Sequence, residues 1–193
     1  MDIWSYLAEA FDLPILDWIA ANLKCGFLDF LMPLITLLGD AGIFWIACSL
    51  VMILIPKTRK TGWAMGISLL IGLLVCNVTL KPLVGRIRPY DYQWQFFQKE
   101  IHLLVEGLHD YSFPSGHTIA SFEAATALLI GNKKLGIPAM VLAVLIAFSR
   151  LYLYVHYPTD VLASIVLGVG IAFLGTFLVK KGYSLLESRK QAA

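Results

Sequence analysis

Five apolar runs, at 40–56, 62–83, 115–131, 135–154 and 159–181, decide what this chain can fold into. A hydrocarbon core about 30 Å thick takes roughly 20 helical residues to cross, and the runs approach that length, with 40–56 and 115–131 slightly short. In lipid each segment must satisfy its own backbone polar groups, so the expectation is an all-α, polytopic transmembrane helical bundle of five to six spans. Composition agrees, since 59% of the 193 residues are hydrophobic and the mean hydropathy is +0.75. Upstream, 11–23 and 27–38 are shorter apolar runs interrupted by Asp12, Asp17 and Asp29, which suits N-terminal interfacial helices, with a sixth crossing as the alternative. No Ser/Pro-rich linker or repeat divides the chain. The segments expected are an interfacial part at 1–39, a transmembrane domain at 40–182 and a cytoplasmic tail at 183–193.

Charge placement orients the bundle. Lys57, Arg59 and Lys60 follow the first run, Lys133 and Lys134 the third, and Lys180, Lys181, Arg189 and Lys190 the last, so these connections are expected on the cytoplasmic side. The acid-rich N-terminal segment, the loop 84–113 and the turn 153–159 then face outward. A net charge of only +2 gives no footprint for nucleic acid. Cys25, Cys48 and Cys76 stand alone, without the spacing of a metal site or a redox pair. No basic start, apolar run and cleavage site mark a removable signal peptide, so insertion is expected to use the first true span.

Lys81, Arg86, Arg88 and Arg150 fall on the outward side against this trend. Charges at the ends of apolar spans are costly and face protein or water. Lys81, Arg88 and Arg150 converge on one edge without three acids to match them, which suggests that their partner is an anion; phosphate suits guanidinium and ammonium groups. Between them comes Pro114-Ser115-Gly116-His117, directly before an apolar run, where a helix N-terminus and a glycine favour close approach of an anion. Alone, Pro-Ser-Gly is as well read as a plain turn and N-cap. In Ser149-Arg150-x5-His156-x3-Asp160, Pro158 places His156 in a turn and Asp160 in the first turn of a new helix, where carboxylate and imidazole can meet. A lone His-x-x-x-Asp is by itself a chance pairing.

Together, Lys81-x6-Arg88-Pro89, Pro114-Ser115-Gly116-His117 and Ser149-Arg150-x5-His156-x3-Asp160 resemble the three-part signature of the type 2 phosphatidic acid phosphatase family, which is related to the vanadium haloperoxidases. The resemblance spans about 60–180. It implies one pocket in a helical bundle and phosphoryl transfer through a phosphohistidine, with His156 as nucleophile, Asp160 orienting it, and His117 as acid and then base. Lys81, Arg88, Arg150 and the Ser115–Gly116 edge would hold the phosphoryl oxygens. It implies no metal and no cofactor, so chelators are expected to leave activity intact. The substrates implied are lipids of a bacterial plasma membrane dephosphorylated at its outer face: undecaprenyl pyrophosphate, phosphatidylglycerol phosphate, phosphatidic acid or diacylglycerol pyrophosphate. Expected partners are that lipid and the bilayer, with oligomeric state left open. The competing reading is a non-catalytic transporter or scaffold that binds lipid phosphate; halide oxidation on bound vanadate conflicts with the spans, since those enzymes are soluble.

Other residues carry less. Arg86 is expected to be a solvated loop cation, and His102 and His109 to be surface residues. Trp63, Tyr90 and Trp94 read as interfacial anchors, as do Tyr152, Tyr154 and Tyr157, one of which would border a lipid headgroup. Glu123, six residues after His117, falls about 240° round the helix from it; a structural hydrogen bond to another helix is the modest reading, with lipid selection or packing against a second subunit as the alternatives.

Overall fold

The computed structural model describes residues 3–192, the side chains of Lys190 and Ala192 excepted. Every regular element among the described residues is a helix. Helix α1 (Ile3–Leu7) continues through a π-helical turn, Ala8–Asp12, into α2 (Leu13–Asn22), and α3 (Gly26–Leu37) meets α4 (Ile43–Leu54) at the corner Asp40–Gly42. Next, α5 (Arg59–Leu73) runs through the π-helical Leu74–Leu80 into the short α6 (Lys81–Val84), and α7 (Pro89–Phe97) follows. After a long irregular loop come α8 (Gly116–Gly131), α9 (Lys133–Tyr152) and α10 (Pro158–Ala192).

Helix α8 is the axle of the bundle: it packs on α5, α9 and α10, and every residue from Thr118 to Leu128 except Ala120 is buried. Its small residues, Ala124, Ala125 and Ala127, let the neighbours come close. Glycines of the neighbouring helices meet its backbone: a Cβ at Gly136 of α9 would lie 2.2 Å from the Leu129 Cα, and one at Gly168 of α10 would lie 2.9 Å from the Ile119 carbonyl oxygen. Outer faces of α4, α5, α9 and α10 expose Leu, Ile, Val and Phe instead, as Leu54, Leu70, Val141, Val166 and Phe173 do. An apolar exterior around a core containing Glu123, Ser68 and Thr126 suits a solvent of lipid rather than water.

Three stretches are long and apolar enough to cross a membrane: Arg59–Phe97, α9, and α10 as far as Arg189. Helices α3 and α4, bent by 41° to one another, make a fourth if they count as one. This differs from five separate runs in two places. The run 115–131 forms a helix of only 16 residues, about 24 Å, and its neighbours rather than lipid surround it. The run 40–56 does not stand alone either, because α3 leads into α4 through Ala41 and Gly42, both with positive φ (46° and 67°). That corner turns the chain inward.

The N-terminal helices are built into the fold. Ala8, Leu13 and Leu16 pack with Tyr92, Tyr154 and Tyr157, while Ile19 and Met32 pack with Tyr152, Leu153 and Val155. They thus cover the turn between α9 and α10.

Candidate active site

The three sequence segments meet at one end of the bundle, around a cavity of about 950 Å³ lined by Lys81, Arg88, Gly116, His117, Arg150 and His156, among others. The α9–α10 turn sets the position of His156. Tyr154 takes a left-handed φ of 61°, which reverses the chain, and Val155, His156 and Tyr157 are buried behind it. The Nδ1 atom of His156 lies 3.6 Å from Asp160 Oδ2 and 3.5 Å from Ser112 Oγ, and Ser112 donates to the same Oδ2 at 2.5 Å. The Tyr157 N–H donates to that oxygen as well, at 3.1 Å.

The opposite ring nitrogen decides the tautomer. His156 Nε2 sits 3.3 Å from an Arg88 Nη, and a guanidinium offers donors only, so Nε2 must hold the lone pair and Nδ1 the proton facing Asp160. Burial first, and then the charges of Arg88, Arg150 and Lys81, hold the His156 imidazole well below its usual pKa. It is neutral near pH 7, with its Nε2 electron pair turned toward the Arg88 guanidinium.

The cations differ in how they are engaged. Arg88 donates to the Val155 carbonyl (2.7 Å) and to the Asp110 carbonyl (2.9 Å), and it pairs with the Asp110 carboxylate, which also takes Lys81. Two of the three cations expected to lack acids therefore share one. Burial tends to raise the Asp110 pKa, but the hydrogen bonds and charges of Lys81 and Arg88 outweigh it and hold the carboxyl at about 2. Arg150 has no ion pair among the described residues. One of its Nη atoms donates to Thr36 Oγ1 at 2.5 Å, its Nε is buried without a partner, and it lines the cavity. A buried guanidinium without a carboxylate is the strongest single pointer here to an anionic ligand.

On the facing wall, the α3–α4 corner holds His117. A Cβ on Gly39 would fall 2.8 Å from His117 Cδ2, so only glycine lets the corner lie against the ring, and Asp40 Oδ1 is 3.9 Å from His117 Nε2. Gly116 lines the cavity, but Ser115 stands behind the wall: its N–H donates to Ser164 Oγ (2.8 Å), and its Oγ receives the Thr118 hydroxyl (3.0 Å). Among the described residues no group of three or more His, Cys, Asp or Glu side chains is arranged to hold a metal ion.

Several expectations are corrected. Arg86 is no solvated loop cation: it is 4% exposed and bridges Asp160 Oδ1 (2.5 Å) to Asp12 Oδ2 (2.7 Å), its guanidinium 3.8 Å from the centre of the Tyr157 ring. Tyr152, Tyr154 and Tyr157 are all buried; Tyr152 donates to Asp29 (2.6 Å), and Tyr154 donates to Asp17 (2.9 Å) and accepts from Gln93 (2.9 Å). Tyr90 fastens the outer loop, donating to the Leu108 carbonyl (2.6 Å) and accepting from its N–H (3.0 Å), while Trp63 and Trp94 are exposed. His102 and His109 are exposed as expected, with His109 at the cavity edge. Asp12, Asp110 and Ser112 carry no motif and were missed; only the two-residue offset of Arg86 from Arg88 hinted at the network.

The model of the family described as the PAP2 superfamily matches residues 61–183, more than half of the chain. The chain belongs to the PAP2 superfamily. Among its PAP2 relatives, the undecaprenyl-diphosphatase of Sulfolobus acidocaldarius is 35% identical over 139 residues, covering 72% of this chain and 65% of that protein. Undecaprenyl-diphosphatase BcrC of Bacillus subtilis is 34% identical over 118 residues, 61% of this chain and 58% of the relative. The matches thus span roughly three-fifths of these relatives' length. The crystal structure of the PAP2-type phosphatidylglycerolphosphate phosphatase of Bacillus subtilis superposes with a TM-score of 0.67 at 29% identity, covering 92% of each chain.

Proposed function

We propose that this PAP2 protein is a metal-independent phosphatase of membrane lipids, acting on a phosphate or pyrophosphate headgroup through a phosphohistidine on His156. The observation that carries the reading is the arrangement of His156: Nδ1 faces Asp160 and Ser112, and Nε2 holds a lone pair in a cavity that the unmatched Arg150 and the second histidine also line. Both Nδ1 contacts are longer than a hydrogen bond, as is common before substrate tightens a site.

In the first half-reaction Nε2 attacks phosphorus; the N–P bond forms, the bond to the leaving oxygen breaks, and that oxygen takes a proton from His117. Asp160 supports the positive charge that grows on the imidazole. In the second, His117 takes a proton from water as its oxygen attacks phosphorus, inorganic phosphate leaves, and His156 regains its lone pair. Lys81, Arg88 and Arg150, with the Gly116 edge and Ser115 behind it, carry the charge of the transferring group. In phosphoryl transfer such positioning and charge stabilisation are the protein's main contribution.

The same reading sets the topology. With α3–α4 as one bent crossing, α5, α8, α9 and α10 complete five, and Lys57, Lys60, Lys133, Lys134, Lys180 and Lys181 lie at the end opposite His156. The positive-inside rule then turns the site outward, with α1 and α2 at the outer interface. Undecaprenyl pyrophosphate, phosphatidylglycerol phosphate and phosphatidic acid all present the group this site takes. The test is phosphate release from each lipid by purified protein in micelles. Wild type is expected to release phosphate, and His156→Ala none, at an unchanged unfolding temperature. Substantial release by the variant would overturn the assignment, and binding without release by wild type would favour a lipid-phosphate scaffold.

A further inference from the structure

The cavity does not end at the phosphate site. It continues as a slot between α4 and α5, lined by Ile46, Leu50, Ile53, Leu70 and Leu73, down to Trp63. From Trp63 to Lys81 the chain rises about 27 Å, so a hydrocarbon chain whose head lies at His156 has an apolar groove to follow, open to the surface where Leu50 and Leu70 are exposed. Two polar side chains interrupt this apolar surface: Ser49, whose hydroxyl donates to the Gly62 carbonyl (2.8 Å), and Glu123. Glu123 lines the slot, is 1% exposed, and its Oε2 has no hydrogen-bond partner.

Helical geometry explains how Glu123 comes to share a wall with His117 although it is turned well away from it. His117, Ala120 and Glu123 form an i, i+3 ridge that winds round α8 as it descends, and all three line the cavity. The floor on the other side is Gly72, where a Cβ would fall 2.1 Å from Oε2. Glycine at this position leaves the carboxyl its room. Among the described residues no ion pair involves Glu123, and burying a carboxyl without a partner is costly. In its protonated form it offers one O–H donor and needs an acceptor.

We propose that Glu123 is a specificity-determining residue that donates a hydrogen bond to an acceptor oxygen in the linker between the phosphate and the hydrocarbon of the substrate, such as the ester carbonyl of a diacylglycerol phosphate. Its Cα lies about 9 Å below that of His117 along α8, and its carboxyl leans back toward the helix N-terminus, so it reads the segment where headgroup gives way to chain. Lipids whose chain is pure hydrocarbon from the phosphate onward, as in polyprenyl phosphates, leave this donor unanswered. The proposal rests on the phosphatase reading for the position of the head.

The test uses a diacyl phosphatidic acid, its dialkyl ether analogue with the same headgroup and chain lengths, and a polyprenyl pyrophosphate, with wild type, Glu123→Gln, Glu123→Leu and Gly72→Ala. Wild type is expected to favour the ester over the ether by about tenfold in kcat/KM, the size of one neutral hydrogen bond. In Glu123→Leu that ratio collapses to about 1, Glu123→Gln retains most of it because an amide still donates, and Gly72→Ala reduces it by pushing the carboxyl aside. A variant that only loosened the fold would lower all three substrates together. The ratio is read a second time as binding, by displacement of a fluorescent diacyl phosphate lipid. An ester-to-ether ratio near 1 in wild type, or one unchanged in Glu123→Leu, overturns the subsite; binding with the expected ratio but without turnover overturns the phosphatase reading instead.

Discussion

Removing the Arg86 guanidinium strips the shared cation from two carboxylates that water does not reach. Arg86 touches Asp160 Oδ1 at 2.5 Å, Asp12 Oδ2 at 2.7 Å and Thr159 Oγ1 at 2.8 Å, and Asp12 and Asp160 are both fully buried. In Arg86→Ala each carboxylate keeps hydrogen bonds, Asp12 from the Thr159 N–H (2.9 Å) and hydroxyl (2.7 Å), and Asp160 from Ser112 (2.5 Å) and the Tyr157 N–H (3.1 Å). Neither keeps a positive charge. Leaving a buried charge without its partner costs about 3–5 kcal/mol, a factor of roughly 10² to 10⁴ in the folding equilibrium. Turnover should fall with stability, because Arg86 is one of the groups that hold Asp160 against His156. Arg86→Lys should recover only part of the loss, since an ammonium cannot reproduce the two-pronged bridge. The measurements are unfolding in micelles and phosphate release at a temperature where the variant stays folded. A variant with wild-type unfolding and wild-type turnover would refute the claim that this bridge braces the site.

Two further outcomes follow from charge at the site. Asp110→Asn frees Lys81 and Arg88 from their internal carboxylate, so orthovanadate or phosphate should inhibit about three- to tenfold more tightly than in wild type; equal or weaker inhibition would contradict a competing role for Asp110. The buried His156 links stability to pH, because its folded pKa lies below the unfolded value of about 6.5. Below pH 6.5 and down to the folded pKa, the unfolded chain binds the extra proton, so this contribution is fully present above pH 6.5 and is lost as pH falls. The unfolding temperature of wild type should therefore drop more steeply from pH 7 to pH 5 than that of His156→Ala, and equal slopes would refute it.

The reach of the sequence was set by what each feature depends on. Helices α5, α9 and α10 were legible because length and hydropathy are local, and the motif residues because their spacing is fixed within each segment. The run 115–131 was legible as a helix, but apolar composition does not say whether lipid or other helices surround a segment, and α8 is encased by its neighbours. Arg86 was misjudged for a different reason: its partners Asp12 and Asp160 lie 74 positions away on either side, and nothing in the local sequence announces a bridge that long. Asp110 was invisible in the same way, since its partner Lys81 sits on another element. Glu123 was seen but placed by angle alone, which ignores that a cavity wall can follow a winding ridge.

In the proposed reaction His156 Nε2 carries the phosphoryl group between the two half-reactions. The direct measurement is rapid quenching of a reaction with a lipid labelled in its terminal phosphate, followed by mass spectrometry of the peptide containing His156 under conditions that preserve acid-labile adducts. The expected result is a phosphoryl group on His156 that forms and decays at rates matching turnover, and that is absent from Asp160→Asn or strongly reduced there. Turnover with no phosphorylated histidine, or with the label on His117, would contradict it.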